Sequence, residues 1–378
     1  MVMAEVRVVT LGPRIMVLDG EYLHTLAVQA ELKRTLGATI LSVASSTRAP
    51  AHRSRYTDQR LLAPHPSDPG YSTRLVELVR EHLPDLVVPV GYASFAATLA
   101  ATDRLPATVR ALVPDAIGFD LATNKPRTYE LAERIGIRVP RELAVGDGGT
   151  QPDGSAVRFP IFAKSRRERG GESTALLRTP DELRAFDPQR LGGDVIFQEY
   201  VDGTATYAHN GYFENGRPVI SFQHVEVRSV PRRGGSGTRV RAIADPALAA
   251  LGDRLMAELE WNGVAQVEFK RSSEHGFVLM EINPKLWASY PLALPARRPV
   301  IATAAGRALG TPIRSLGVPR DATIVFPARE FMHVKAHRAT EIVLGSAVAM
   351  LWPPAHSNID IRDLGAHVPR RMTDRTTR

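Results

Sequence analysis

The chain has 378 residues, 44% hydrophobic and 23% charged, a globular composition with room for two or three domains. Lys and Arg number 48 against 40 Asp and Glu, a net charge of +8 that suits anionic small molecules as readily as nucleic acid. Cys is absent, which excludes disulfide scaffolds, thiol catalysis and cysteine metal sites and fits the reducing cytoplasm, and no apolar run reads as a membrane span or signal peptide.

Val6–Leu11 is a short apolar run expected to form a strand. Tyr22–Leu36 carries helical spacing through Leu23, Leu26, Ala27, Ala30 and Leu32, with Gly37 as its stop. Thr39–Ala44 is β-rich. Thr73–Leu83 reads as a second amphipathic helix with Ser72 as its cap. Asp85–Val90 reads as a buried strand, followed by Gly91 and a helix through Ala96–Ala101. This alternation predicts a parallel, Rossmann-like sheet over residues 1–120. Leu11-Gly12-Pro13-Arg14 lacks the dinucleotide glycine fingerprint, so a nicotinamide or flavin site is not expected.

Pro106–Asp120 reads as a connection and Lys125–Gly136 as a helix opened near Thr123 or Asn124. Gly146–Gly154 is turn-like. Phe159–Ser165 and Ser173–Arg178 are expected strands flanking the basic loop Arg166–Glu172. Pro180–Phe186 is a short helix and Val195–Val201 a strand. From Thr206 the pattern becomes hairpins: Tyr207–Phe213, the turn Glu214-Asn215-Gly216, then Pro218–Val227. Val230–Arg239 reads as a Gly/Ser/Arg loop and Pro246–Glu260 as a helix. Gly263–Arg271 and Phe277–Ile282 are strands joined by Ser272–Gly276. Beyond residue 310 the signal weakens to one helix at Glu341–Met350 and the basic tail Pro369–Arg378. The boundaries that follow are 1–120, 121–205, 206–310 and 311–378.

The most informative segment is Val264–Asn283. Glu268 faces away from Val267 and Phe269, and Glu281 and Asn283 share one face of the next strand because side chains two apart do so. A short turn makes the strands antiparallel neighbours and can bring the three oxygen donors together. Such a set suits a hard cation, Mg²⁺ or Mn²⁺. Solvent-facing acids on an amphipathic hairpin are the competing reading.

Glu268 followed by Met280-Glu281-Ile282-Asn283-Pro284-Lys285 resembles the closing signature of the ATP-grasp superfamily of carboxylate–amine ligases. Upstream, Asn124-Lys125, Phe159–Lys164, Arg169–Ser173 and Gln198–Val201 resemble its other motifs in order. The resemblance implies a Rossmann-like domain followed by an α+β grasp fold of two subdomains. It also implies phosphate contacts from Lys125, Lys164 and the Gly170-Gly171 loop. Gln198, Glu199, Tyr200 and Val201 would hold adenine, and Glu268, Glu281 and Asn283 the metal. Lys285, where the family commonly has Arg, His224 and Arg228 would face the reacting groups. The loop at 232–238, over the reacting centre, resembles that of carbamoyl-phosphate-synthase-like members. For Lys125 and His224 a plain structural role weighs equally.

The implied activity is an ATP-dependent ligase that joins a small carboxylate to an amine, amino acids or peptides being the expected substrates, through an acylphosphate. A catalytically silent ATP-binding module is the alternative. A basic nucleic-acid-binding protein is less favoured, since no aromatic residues interleave the basic clusters. A homodimer is the commonest closed assembly.

Overall fold

The computed structural model describes residues 12–145, 151–154, 157–167, 174–203, 205–230, 236–311, 313, 317, 319–337 and 355–367. The strand expected at Val6–Leu11, the helix expected at Glu341–Met350, most of the Gly146–Gly154 turn and the tail Pro369–Arg378 lie outside the described residues.

The N-terminal part contains β1 (Arg14–Val17), α1 (Leu23–Leu36), β2 (Thr39–Ala44), β3 (Gln59–Leu62), α2 (Tyr71–His82), β4 (Leu86–Val88), α3 (Tyr92–Ala101) and β5 (Arg110–Ala111). Its strands lie in the order β3-β2-β1-β4-β5, and every pair is parallel. The first described strand is therefore Arg14–Val17. Gly37 ends α1 at φ 64°, a left-handed conformation that glycine adopts without strain. Ser72 is not the cap of α2: that position is Gly70, and Ser72 lies inside the helix.

Asp19 follows β1 with φ 59°, and its carboxylate accepts the Val90 and Gly91 amides at 3.0 and 2.8 Å. It thereby ties the carboxyl ends of β1 and β4, where the strand order reverses. Ligands of open parallel sheets bind at that crevice.

Residues expected to form a plain connection contain a helix, α4 (Ala116–Thr123), which Asp115 caps by accepting the Gly118 amide at 2.7 Å. Next come α5 (Lys125–Arg134), with Asn124 as its N-cap, β6 (Ile161–Ser165), β7 (Thr174–Leu177), α6 (Pro180–Arg184) and β8 (Val195–Glu199). The three strands form a small antiparallel sheet in the order β7-β6-β8.

The large sheet is built from β9 (Thr206–Glu214), β10 (Arg217–Val230), β11 (Ser236–Ile243), β12 (Gly263–Ser272), β13 (Gly276–Asn283), β14 (Thr323–Val325) and β15 (Ala355–Ser357). Its order is β13-β12-β9-β10-β11-β14-β15. The turn at Asn215-Gly216 has φ of 48° and 73°, as a two-residue hairpin with matching twist requires. Helices α7 (Pro246–Glu258), α8 (Val300–Leu309), α9 (Pro327–His337) and α10 (Leu364–His367) complete the described chain. Part of the segment read as a Gly/Ser/Arg loop is strand, since β11 begins at Ser236. Residues expected to form a C-terminal extension add β14 and β15 to the large sheet.

The N-terminal domain and the large sheet share one hydrophobic core, running from Ile15 and Leu86 through Phe222 and Trp287 to Ile301. Within it Glu31 of α1 is fully buried. It accepts the Tyr290 hydroxyl at 2.8 Å and the Ala302 amide at 2.9 Å. Burial pushes its carboxyl from 4.5 up to about 8, against the opposing pull of those hydrogen bonds. The neutral form stabilises the fold fully below 4.5, and that contribution is lost as pH rises through about 8. Glu31→Gln, which cannot ionise, should flatten the fall in melting temperature over that window. A variant that melts with the wild-type pH slope would rule out this role.

The chain then returns to its beginning. Tyr56 donates its hydroxyl to Asp360 at 2.9 Å, and the Arg55 amide meets Asp363 at 2.8 Å. Residues 355–367 thus run from the edge of the large sheet back onto the N-terminal domain.

Candidate active site

The site lies on one face of the large sheet. Glu268 of β12 stands directly opposite Glu281 of β13, and Gln266 opposite Asn283. Met280 is an extra residue in β13, a bulge between the Glu268 and Phe269 positions. It explains why Leu279 and Ile282, three apart, both point into the core while Glu281 and Asn283 point away from it. The Met280 carbonyl accepts the Tyr129 hydroxyl at 2.6 Å, which docks α5 on this strand.

The Asn283 amide nitrogen lies 3.2 Å from Glu268, 3.4 Å from Glu281 and 3.2 Å from Gln266. Lys285 donates to the Asn283 oxygen at 3.1 Å, and Lys125 lies 3.5 Å from Glu281. Burial raises the Glu281 carboxyl, but Lys125, Lys164, Lys285 and the Asn283 amide outweigh it and hold the group below its ordinary value. The result is an ionised carboxylate facing a second carboxylate in register. Two carboxylates are a hard-donor pair that suits Mg²⁺, and the Asn283 amide joins them as a third oxygen donor when it turns its oxygen, here engaged by Lys285, toward them. Among the described residues no group of three His, Cys, Asp or Glu that could hold a metal ion occurs, at this site or elsewhere, so a cation here would rely on two carboxylates with amide, phosphate or water oxygens.

The small sheet brings the lysines. Lys164, next to last in the apolar strand β6, is 6% exposed. Its ammonium is pulled down to about 8, first by burial and then by Lys125 and Lys270, with Glu281 and Glu268 opposing. Lys125 opens α5, and its backbone N–H donates to the Arg166 carbonyl at 3.0 Å, so the helix start and the loop after β6 are stitched together. The sequence reading did not single out Lys270. It lies two residues beyond Glu268 on the same face, is 5% exposed and donates to the Gly203 carbonyl at 3.4 Å. The alternation of β12 was the available signal.

At the strand end Gln198 is fully buried, and its amide oxygen has no protein partner among the described residues. Tyr200 stacks on Phe162 at 5.7 Å. The Glu199 side chain turns away from the lysines and accepts from Arg141 at 3.1 and 3.4 Å. There it borders a cavity of about 1070 Å³ behind the strand end, together with Tyr200 and Val201.

No family model matches the chain, and no curated protein matches its sequence. Solved structures do resemble its fold. Biotin carboxylase from Campylobacter jejuni, determined as a β,γ-ATP complex, superposes with a TM-score of 0.66 at 13% identity, over 82% of this chain and 74% of that one. N5-carboxyaminoimidazole ribonucleotide synthetase from Thermus thermophilus gives 0.59 at 21% identity, over 82% of each chain. The biotin carboxylase domain of the Hydrogenobacter thermophilus 2-oxoglutarate carboxylase, determined with MgADP and bicarbonate, gives 0.61 at 14% identity, over 79% and 70%. The chain has an ATP-grasp fold.

In this ATP-grasp fold the expected residues divide into groups. Glu268, Glu281, Asn283, Lys285, Lys125 and Lys164 come together around one cleft. Gly170 and Gly171 lie outside the described residues. His224 lies on the cleft face: Glu268 opposes Ala208, which opposes His224. It is sealed at 1% exposure with Asn210 at 3.0 Å, and burial pushes its imidazole down to about 3, so it is neutral in the physiological range. It is thus a buried, neutral residue of the sheet on the cleft side, where an exposed imidazole over the reacting groups was expected. Arg228, expected over the same centre, is instead paired with Glu330 of α9 at 2.6 Å.

The N-terminal domain reaches the cleft through His24, in the first turn of α1. Its imidazole is enclosed yet partly open to solvent. It is pushed down to about 3 by burial and by the neighbouring Lys285 and Arg329. Arg329 stands on α9, within the C-terminal region whose signal was weakest. No helix among the described residues is long and apolar enough to cross a membrane.

Proposed function

We propose that this chain is an ATP- and Mg²⁺-dependent carboxylate–amine ligase. The observation that carries this reading is Glu281, held ionised among three lysines and opposite Glu268. A catalytically silent relative has no need to keep that arrangement. Glu268, Glu281 and Asn283 would hold the metal, which supplies charge neutralisation and orientation for the triphosphate when bound.

Lys125 and Lys164 approach the same cleft from the small sheet and would balance phosphate charge as compact cations. Lys164, near 8, keeps most of its protons at neutral pH. Gln198 offers a buried amide to a base edge, and Lys285 stands where an incoming carboxylate can be held. The carboxylate attacks the γ-phosphorus of ATP, the bond to the bridging oxygen breaks, and ADP leaves behind an acylphosphate. An amine then attacks the acyl carbon and phosphate departs. The chain's residues act through position and charge, with no enzyme nucleophile, which accords with the absence of Cys.

Purified protein given ATP, Mg²⁺ and pairs of the protein amino acids should release ADP and phosphate, with the ligated product seen by mass. Release of AMP and pyrophosphate would refute the acylphosphate route.

A further inference from the structure

We propose that Glu226 is the base that takes the proton from the attacking amine, an inference that rests on the ligase reading above. Glu226 lies two residues beyond His224 on β10 and so on the same, cleft-facing side of the sheet. Its carboxylate accepts the Gly237 amide of β11 at 3.2 Å. A side chain at 237 would meet that carboxylate at 2.8 Å, so glycine there makes room for it.

The charged groups around the cleft form a closed circuit of neighbours. His24 feels Lys285 and Arg329; Glu281 feels Lys285, Lys125 and Lys164; Lys164 feels Lys270; and Glu226 feels Lys270 and Arg329. The lysines, Glu281 and Glu268 have parts in holding phosphate and metal. Glu330 is engaged by Arg228 and by the Thr238 hydroxyl. Glu226 is the acid of this circuit that neither task absorbs, and it stays partly open to solvent.

Its chemistry suits the step. Burial raises the carboxyl to about 7, with the Gly237 amide, Arg329 and Lys270 opposing the rise. His224, two residues away on its own strand, is neutral and does not compete. A base poised near the working pH is half-ionised and gains most from proton transfer. The amine arrives as an ammonium ion. One proton passes to the Glu226 carboxylate, and the freed nitrogen pair attacks the acyl carbon. The C–N bond forms, the C–O bond to phosphate breaks, the departing phosphate carries off the second proton of the nitrogen, and Glu226 returns its own proton to solvent after product leaves.

The test offers each protein amino acid as acid, with either a second amino acid or hydroxylamine as nucleophile. Hydroxylamine is already unprotonated at neutral pH and needs no base. Wild type should form both amide and hydroxamate. Glu226→Gln should form hydroxamate while amide formation falls by about 10²–10⁴-fold, the usual share of general-base catalysis, and loses its rise through neutral pH. Amide formation at the wild-type rate overturns the proposal. So does an equal fall of both products in a folded variant, which marks a structural role. Where Glu226→Gln fails to fold, Glu226→Asp carries the test, since amide alone should fall and a uniform fall is fatal. Wild-type protein that yields neither ADP nor hydroxamate with any acid overturns the ligase reading itself, a distinct result.

Discussion

Replacing Glu281 by Gln should lower ATP-dependent turnover by at least about 10²–10³-fold, the scale on which a fixed electrostatic contact to a reacting phosphoryl group acts. The side chain keeps its shape and its place opposite Glu268, so packing is preserved and only the charge is lost. Three lysines then lose their common counter-charge. Nucleotide binding without Mg²⁺ should hold or tighten, because Lys125, Lys164 and Lys285 present their charge unopposed. Mg²⁺ should cease to promote binding. Calorimetric titration with a non-hydrolysable ATP analogue, with and without Mg²⁺, separates these effects. Wild-type turnover in the variant, or unchanged Mg²⁺ dependence, would remove Glu281 from the metal site.

The second large effect is on stability. Trp261 is fully buried where α7 meets β12, packed with Phe213, Leu255 and Met256. Its carbonyl also receives the Gly216 amide at 2.9 Å, which fixes the β9–β10 turn against the helix end. Trp261→Ala removes the largest buried side chain of that cluster and should cost roughly 3–5 kcal/mol, the transfer loss plus the cavity left behind. Its denaturant midpoint should fall with little change in slope. A midpoint equal to wild type would mean that neighbouring side chains collapse into the space.

What was legible in the sequence follows from which signals are local. The parallel sheet could be read because β2 and β4 are short apolar runs, α2 has a clear amphipathic pattern and Gly37 stops α1. The adjacency of Glu268, Glu281 and Asn283 could be read because they interrupt apolar strands that adjoin in sequence. Face assignment needed the Met280 bulge, and a strict two-residue alternation cannot supply it: Leu279 and Glu281 would share a side. Helix α4 was hidden because Pro114 and Gly118 read as loop residues, although Asp115 was a serviceable cap signal. Strand β11 was hidden by the serine and glycine that open it, Ser236 and Gly237, while Thr238, Val240 and Ala242 carried the alternation. Glu31, Glu226 and Arg329 had no local signal at all. Each draws its character from partners that only the folded chain brings near: Tyr290 and Ala302 for Glu31, and Lys270 and Arg329 for Glu226. Lys285 stood out in the sequence as a departure from a common arginine, yet the guanidinium that shares its neighbour His24 comes from α9, in a stretch with almost no periodic pattern.

The contacts of Asp360 and Asp363 with residues 54–56 and Arg34 carry a consequence for assembly in time. They join positions more than 300 residues apart, so the N-terminal domain leaves the ribosome well before its last partners exist. At that stage the surface around Tyr56 lacks its cover, and β14 has no β15 beside it. The newborn chain must keep these edges from pairing elsewhere until residues 355–367 arrive. A chain truncated near residue 350 would retain Glu268, Glu281, Asn283 and the lysines beside them and still lack the tie between the large sheet and the N-terminal domain.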